Sequence, residues 1–294
     1  MSETFAITGA SGFLGSALCR HLQAHGHRVR ALVRDPSKLP AALAGVEAYA
    51  CNLPDTIDER AFEGGVGALV HCAFEMRFQD PARAHRVNVE GSARLFEAAR
   101  RRGVPRILFI TSMSSHDEAI SVYGRSKREV EGLLDPTRDT TLRPGHILGP
   151  GGVFWRQAAS IARLPFIPLF YGGRQRIQVL ALPDVCEAAQ IILERRITGL
   201  VTVAHPQTLT LREFYSAVAR AVNKPARFLR LPGPLAWAIL RLAEKAGVRL
   251  PLSSDNLLGL KRLQVFEVEK GIAQLRLAPR SLEQALSELD WKQL

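Results

Sequence analysis

What the chain lacks narrows its class first. None of its 294 residues fall in a run of the roughly 18 uninterrupted apolar residues that a membrane-spanning helix requires. Met1 to Thr4 lead straight into an apolar segment, without the basic and small-residue flanks of a secretion signal, so the expectation is a cytoplasmic protein. Cysteine is scarce and dispersed: Cys19, Cys51, Cys72 and Cys186 form no C-x-x-C pair and have no histidine spacing suited to zinc. Neither a disulfide scaffold nor a metal site is expected, and each thiol reads as a small core residue. No run of basic and aromatic residues and no nucleic-acid-binding module is present, so nucleic acid is not an expected partner.

What is present is the composition of a globular protein, 47% hydrophobic and 23% charged, with a net charge of +11. That basic balance suits an anionic ligand, an acidic partner or a membrane surface. Through the first half, strand-length apolar segments alternate with helix-length amphipathic ones. "TFAIT", a helix from about Phe13 to Ala24, "RVRALV" and "GVEAYA" are followed by "ALVHC" and a helix from about Ala82 to Arg102. "RILFITS", a helix holding Tyr123, and "TTLRP" complete the series. This alternation implies an α/β fold, a Rossmann-type doubly wound parallel sheet covered on both faces. After Pro144 the rhythm breaks into glycine- and proline-rich clusters and short helices. Residues 1–145 therefore read as a dinucleotide-binding domain, and 146–294 as a smaller substrate-binding portion that shares its core.

"AITGASGFLGSALCRHL" sets Gly9, Gly12 and Gly15 between the first strand and the first helix. Glycines there let the backbone turn tightly and approach a pyrophosphate at the positive helix end, with Ser11, Phe13 and Leu14 completing the loop. The next strand ends in Val33-Arg34, with Lys38 close by, where an NAD-preferring site would offer an acid. A guanidinium can grip a 2′-phosphate in bidentate fashion, so NADP(H) is preferred over NAD(H). Arg34 and Lys38 could instead be solvated loop charges, and Asp35 either binds a ribose hydroxyl or starts the Asp35-Pro36 turn.

With the glycine loop, the "TSMSS" that ends the fifth strand, and Tyr123 four residues before Lys127 on one helix face, the sequence resembles the short-chain dehydrogenase/reductase superfamily. More narrowly it resembles the extended and atypical branch of NAD-dependent epimerases and dehydratases. Asn88 in "RVNVEGSARLFEAA", the loop "LRPGHILGPGG" and Asp184-Val185 match that pattern, and "LFYGGRQ" with "RIQVLALPDVCEAA" is similar to the NADPH-binding accessory subunit of respiratory complex I and its bacterial relatives. The resemblance implies an NAD(P)-dependent oxidoreductase with Tyr123 as acid/base, Ser112 as polariser and Lys127 as the residue that lowers the phenol's pKa and orients the nicotinamide ribose. Ser114 is the alternative to Ser112. It further implies cofactor contacts from Asn52, Leu53, Cys72, Ala73, Asn88, Pro144 and Gly145. Nucleotide-sugar enzymes of this type often carry a pyrophosphate-binding arginine where this chain has Ile177, which disfavours that substrate.

Phe74, Met76, Phe78, Phe154, Trp155, Phe166 and Tyr171 are expected either to line an apolar pocket for a small carbonyl or alcohol, or to pack in the core. His116 and His146 are either proton relays or ordinary hydrogen-bonded residues. An epimerase or dehydratase, and a non-catalytic NADPH-binding assembly protein, are the alternative functions. In Leu231 to Leu252, Leu235, Trp237, Ile239, Leu242 and Ala246 are interleaved with Arg241, Lys245 and Arg249. That segment could meet an anionic membrane, or serve as a lid or as the contact of a homodimer. Its apolar residues spread around the helix, which favours burial against protein.

Overall fold

The computed structural model describes residues 2–76, 78, 80–248 and 252–294; Met1, Arg77, Gln79 and 249–251, with Arg249 of the basic segment, lie outside them. In the first half, β1 (Thr4–Thr8), α1 (Phe13–Ala24), β2 (Arg28–Val33), β3 (Glu47–Asn52), β4 (Thr56–Ile57) and β5 (Val66–His71) come first. They are followed by α2 (Pro81–His85), α3 (Gly91–Arg101), β6 (Ile107–Ile110), α4 (Val122–Glu131) and β7 (Thr140–Pro144). The second half begins with β8 (His146–Leu148), α5 (Gly152–Arg163), β9 (Ile167–Phe170), β10 (Arg176–Ile177), β11 (Val179–Ala181), α6 (Leu182–Arg195) and β12 (Gly199–Val203). It ends with β13 (Leu209–Thr210), α7 (Leu211–Ala221), β14 (Phe228–Leu231), α8 (Gly233–Lys245), α9 (Ser254–Lys261), α10 (Glu269–Leu275) and α11 (Leu282–Ser287).

The large sheet has the order β12-β7-β6-β5-β1-β2-β3-β4, parallel except for the short β3–β4 pair. Both faces are apolar because the side chains of a strand alternate. Phe5, Ile7, Leu108 and Ile110 pack with Leu18 and Leu22 of α1 and Val185 and Ile192 of α6. Their neighbours Ala6, Ile107 and Phe109 pack on the other face with Leu95 and Phe96 of α3 and Val130 of α4. The helix expected from Ala82 to Arg102 is continuous but carries a π-helical turn at Arg86–Glu90, which holds Asn88. Such turns concentrate at functional sites.

The boundary at residue 145 does not coincide with a layer of the fold. The edge strand β12 and the sheet-covering α6 both follow it, pairing with β7 and packing on α1. The rest of the second half forms its own core of α5, α7, α11 and β9, with α8 and α9 set on it through Ala236, Leu240 and Leu257. Asp184, buried in α6, accepts a hydrogen bond from the Arg280 backbone N–H at 2.8 Å and pairs with its guanidinium, tying the C-terminal segment to the sheet layer. Among the described residues, no helix is long and apolar enough to cross a membrane. Leu18 has no exposed surface; Leu18→Ala should cost about 2–5 kcal/mol, seen as a lower urea midpoint with an unchanged slope.

Candidate active site

The parallel sheet reverses its winding between β1 and β5, and in such sheets a crevice opens at the strands' C-terminal ends. Here it is a cleft of about 1370 Å³ that runs from the β1–α1 turn to α8 and α9. Gly9 lies in the left-handed region at φ +65°, and a Cβ on it would stand 2.9 Å from the Ala73 backbone nitrogen. A Cβ on Gly15 would strike the Gly9 carbonyl. The backbone of β5's exit, the turn and the first turn of α1 thus pack with no space for side chains. Gly12 is the N-cap of α1, with no side-chain cap and no acid in the first turn, leaving its N–H groups directed into the cleft edge. This bare, positive helix end beside glycine backbone fits a dinucleotide pyrophosphate.

Gly9, Ser11, Gly12, Phe13, Leu14, Gly15, Arg34, Asn52, Leu53, Cys72, Ala73, Asn88, Ser112, Tyr123, Lys127, Pro144 and Gly145 all line this one cleft. Lys38 does not; its ammonium lies 2.9 Å from Asp35, out in solvent. Asp35 accepts from the Ser37 backbone and hydroxyl at 3.1 and 2.6 Å, so it starts the turn, as one of its two expected roles required. Arg34 is exposed on the cleft wall with no hydrogen bond or ion pair among the described residues. The β5 end is braced by residues that composition did not reveal. Thr8 Oγ1 accepts from the Cys72 and Ala73 N–H groups at 3.1 and 3.2 Å and bonds His71 at 2.7 Å, whose other nitrogen meets Ser92 at 2.8 Å. Burial pushes His71 down to about 3, so it is neutral. Asn88 clamps the next residues, accepting from the Glu75 N–H at 2.6 Å and donating to its carbonyl at 3.1 Å. The glycines of "LGPGG" also find a reason. Phe13's ring fills the space where a Cβ on Gly152 would stand, 2.7 Å away, and locks this loop over the turn.

Tyr123 and Lys127 share a face of α4; Ser112, and not Ser114, acts on the Tyr123 phenol as a hydrogen-bonding side chain, which favours Ser112 over Ser114. The electrostatics differ from the expectation that the ammonium lowers the phenol's pKa. Burial between Phe74 and Phe78, which meet its ring edge-on at 5.6 and 5.9 Å, raises the Tyr123 pKa, and only the Ser112 bond opposes this. The Lys127 Nζ lies 6.0 Å from the Tyr123 ring centre and donates to the Ile110 carbonyl at 2.8 Å, with the rings of Phe74 and Phe109 at 4.0 and 4.5 Å. Burial lowers Lys127 to about 7, resisted by Glu131 one turn on, which is itself held by Thr111 at 2.5 Å and Arg143 at 3.0 Å. Burial thus favours the neutral amine over the ammonium.

A residue from the far end of the chain completes the arrangement. The buried Asp255 of α9 accepts from the Val122 and Tyr123 backbone N–H groups at 2.6 and 3.2 Å. A carboxylate on the open N–H groups of a helix N-terminus suits the helix dipole and fixes the start of α4. Ser254, beside it, is bound through its N–H and hydroxyl by Glu244 of α8 at 2.7 and 2.8 Å. The spacing from Val122 to Asp255 left no sequence signal for this contact.

Of the two roles open to the seven apolar residues, most take core packing, and the cleft walls are largely aliphatic. Phe74 and Met76 line the cleft, but Phe154 is buried in the second core, Trp155 stacks on Trp291 at 5.5 Å, and Tyr171 packs over Gly233. Phe78 is buried behind Tyr123, and Phe166 points outward. Ile147, Ile161, Ile177, Leu211, Leu231 and Leu240 supply the apolar lining instead. His146 lines the cleft bonded to Gln157 at 3.0 Å and is pushed down by burial to about 4, a neutral hydrogen-bond partner. His116 lies outside the lining. The folded chain releases the Lys127 proton near 7 and the unfolded chain near 10.5. The unfolded state holds more protons between those values, so stability should rise with pH across that window. The urea midpoint of cofactor-free protein should climb from neutral to mildly alkaline pH, and Lys127→Met should remove the climb; parallel profiles would refute this account of the amine.

The pattern of the NAD dependent epimerase/dehydratase family matches residues 5–204. The chain is 31% identical over 241 residues to a ceramide reductase of Caulobacter vibrioides, covering 78% of this chain and 74% of that one. It is 28% identical over 268 residues to a 3-diazoavenalumate denitrifying reductase of a Streptomyces species, covering 80% and 86%. The UDP-glucose 4-epimerase of Bifidobacterium longum, solved with NAD⁺ and UDP, superposes with a TM-score of 0.73 over 98% of both chains at 14% identity. The chain therefore belongs to the NAD dependent epimerase/dehydratase family and is an NAD(P)-dependent enzyme of the extended short-chain dehydrogenase/reductase type.

Proposed function

We propose that this enzyme is an NADP(H)-preferring oxidoreductase acting on a carbonyl or alcohol of an apolar small molecule. One observation carries the reading: Ser112, Tyr123 and Lys127 stand in the same cleft as the glycine turn, and the walls beyond them are aliphatic. Gly9 to Gly15 would hold the pyrophosphate, Arg34 the 2′-phosphate, Asn52 and Leu53 the adenine side, and Cys72, Ala73, Asn88, Pro144 and Gly145 the nicotinamide half. Bound there, the dinucleotide supplies or accepts a hydride at nicotinamide C4. Tyr123 gives the substrate oxygen its proton, or takes it in the reverse direction, while Ser112 holds the same oxygen by a hydrogen bond. Its raised pKa keeps Tyr123 a proton donor at neutral pH, which suits reduction. An anionic ligand beside Lys127 would favour its charged form, and that charge would favour loss of the phenol proton. A substrate of low polarity agrees with the walls, and the names of the two reductase relatives agree with the reaction.

Nucleotide-sugar epimerisation or dehydration is the second reading, favoured by Arg156 and Arg176, which also border the cleft. Against it, the strand position that faces inward carries Ile177, which is buried, while Arg176 is turned to Thr208. Native protein should bind NADPH about tenfold or more tightly than NADH, and Arg34→Ala should remove the difference; equal native affinities would defeat the cofactor assignment. Tyr123→Phe should lower reduction of hydrophobic aldehydes and ketones about 10²–10⁴-fold with NADPH binding intact. Full activity in that variant would replace the enzyme reading with a binding or assembly role. A cofactor that is never released and shows no net turnover would favour epimerisation.

A further inference from the structure

The basic segment expected to bury its apolar residues against protein does the reverse along most of α8. Of its apolar side chains, only Ala236 and Leu240 are buried, packed with Leu257. Leu235, Ile239 and Leu242, spaced as one helical stripe, are 55%, 55% and 70% exposed. Arg241 and Lys245 occupy the adjoining stripe, and Trp237 lies under the Arg241 guanidinium at 5.9 Å. β14, which leads into α8, adds exposed Leu229 and Arg230, and its parallel partner β9 is preceded by exposed Arg163, Leu164 and Phe166. Exposed apolar side chains gathered on paired elements in this way mark a contact.

Its charge selects the contact. From Lys224 to Val248 the chain carries the exposed cations Lys224, Arg227, Arg230, Arg241 and Lys245. The one acid, Glu244, has its side chain 12% exposed; it accepts from Ser254 and meets the Arg241 guanidinium at 3.7 Å, leaving that guanidinium 44% exposed. Leu164 and Ile239 are both exposed and both line the cleft, so the face surrounds an entrance to the apolar cavity. We infer that this face docks the enzyme on the surface of an anionic lipid bilayer, with the α8 leucines in the interfacial layer and the cations against the headgroups. Apolar burial and attraction to acidic headgroups then act together, and neither requires a spanning helix. That the bilayer also delivers the substrate rests on the function proposed above; the docking itself does not.

Purified full-length protein is sedimented with vesicles of phosphatidylcholine alone and of phosphatidylcholine mixed equally with phosphatidylglycerol. Native protein should pellet with the mixed vesicles, stay in solution with the neutral ones, and be released as salt rises. Leu235→Glu/Leu242→Glu should reduce partitioning about tenfold or more, while its melting temperature and NADPH affinity stay native, since neither residue lines the cleft or is buried. Arg241→Glu/Lys245→Glu should do the same. Native protein that remains in the supernatant with mixed vesicles at low salt overturns the proposal, as does equal pelleting of native and leucine variants. A native homodimer that the leucine variant splits, without vesicle binding, also overturns it and makes the face a contact between copies. Loss of NADPH binding with sedimentation retained would count against the proposed function and leave the docking standing.

Discussion

Everything at the site depends on how closely three pieces of backbone approach one another where β1 hands over to α1. The Gly9 carbonyl sits where a Cβ on Gly15 would be, and the Ala73 nitrogen sits where a Cβ on Gly9 would be. This contact brings the open end of α1 to the crevice between β1 and β5, and it fixes the cleft floor. Thr8 and His71 hold it from below with side-chain hydrogen bonds that replace those the strand end can no longer make with other strands. Phe13 then carries the constraint upward, its ring occupying the space that Gly149, Gly151 and Gly152 leave free. The ring and the glycine loop thus add a junction between the halves to those of β12 on β7 and α6 on α1.

The reactive pair is governed by burial rather than by mutual attraction. Tyr123 and Lys127 share a helix face, but each answers to different neighbours: the phenol to Ser112, Phe74 and Phe78, and the amine to a carbonyl, two rings and the Glu131 carboxylate. Desolvation shifts both toward their neutral forms. The helix carrying them begins on a carboxylate, Asp255, that belongs to the same small helical pair as the exposed face of α8. Glu244 links the two members of that pair, so the substrate-side helices and the catalytic helix are joined by a short run of charge-assisted hydrogen bonds.

Local pattern was enough for the sheet layer. The strands "TFAIT" and "TTLRP" and the helix from Phe13 to Ala24 appear with the bounds expected of them, because apolar periodicity and glycine placement are properties of neighbouring residues. That the glycine turn, Ser112, Tyr123 and Lys127 come to one cleft was legible for the same reason: each motif is short and its spacing is its geometry. Lys38 was misplaced because a turn residue three positions away, Asp35, competes for its charge. For the seven residues read as pocket lining or core, the sequence left both roles open because aromatic side chains serve cores and pockets alike, and only packing tells Phe74 from Phe154.

The sequence by itself therefore determined the α/β class and the placing of the glycine turn, Ser112, Tyr123 and Lys127 at the strand and helix ends that border the cleft, because short motifs and local periodicity encode these positions. Tertiary structure decided the rest. It placed β12 at the edge of a sheet begun some two hundred residues earlier, set Asp255 on the catalytic helix, raised the phenol and lowered the amine by burying them, and left the α8 leucines in solvent. Those features depend on which distant segments exclude water from one another. Desolvation and long-range contact are properties of the packed chain, and no local pattern carries them.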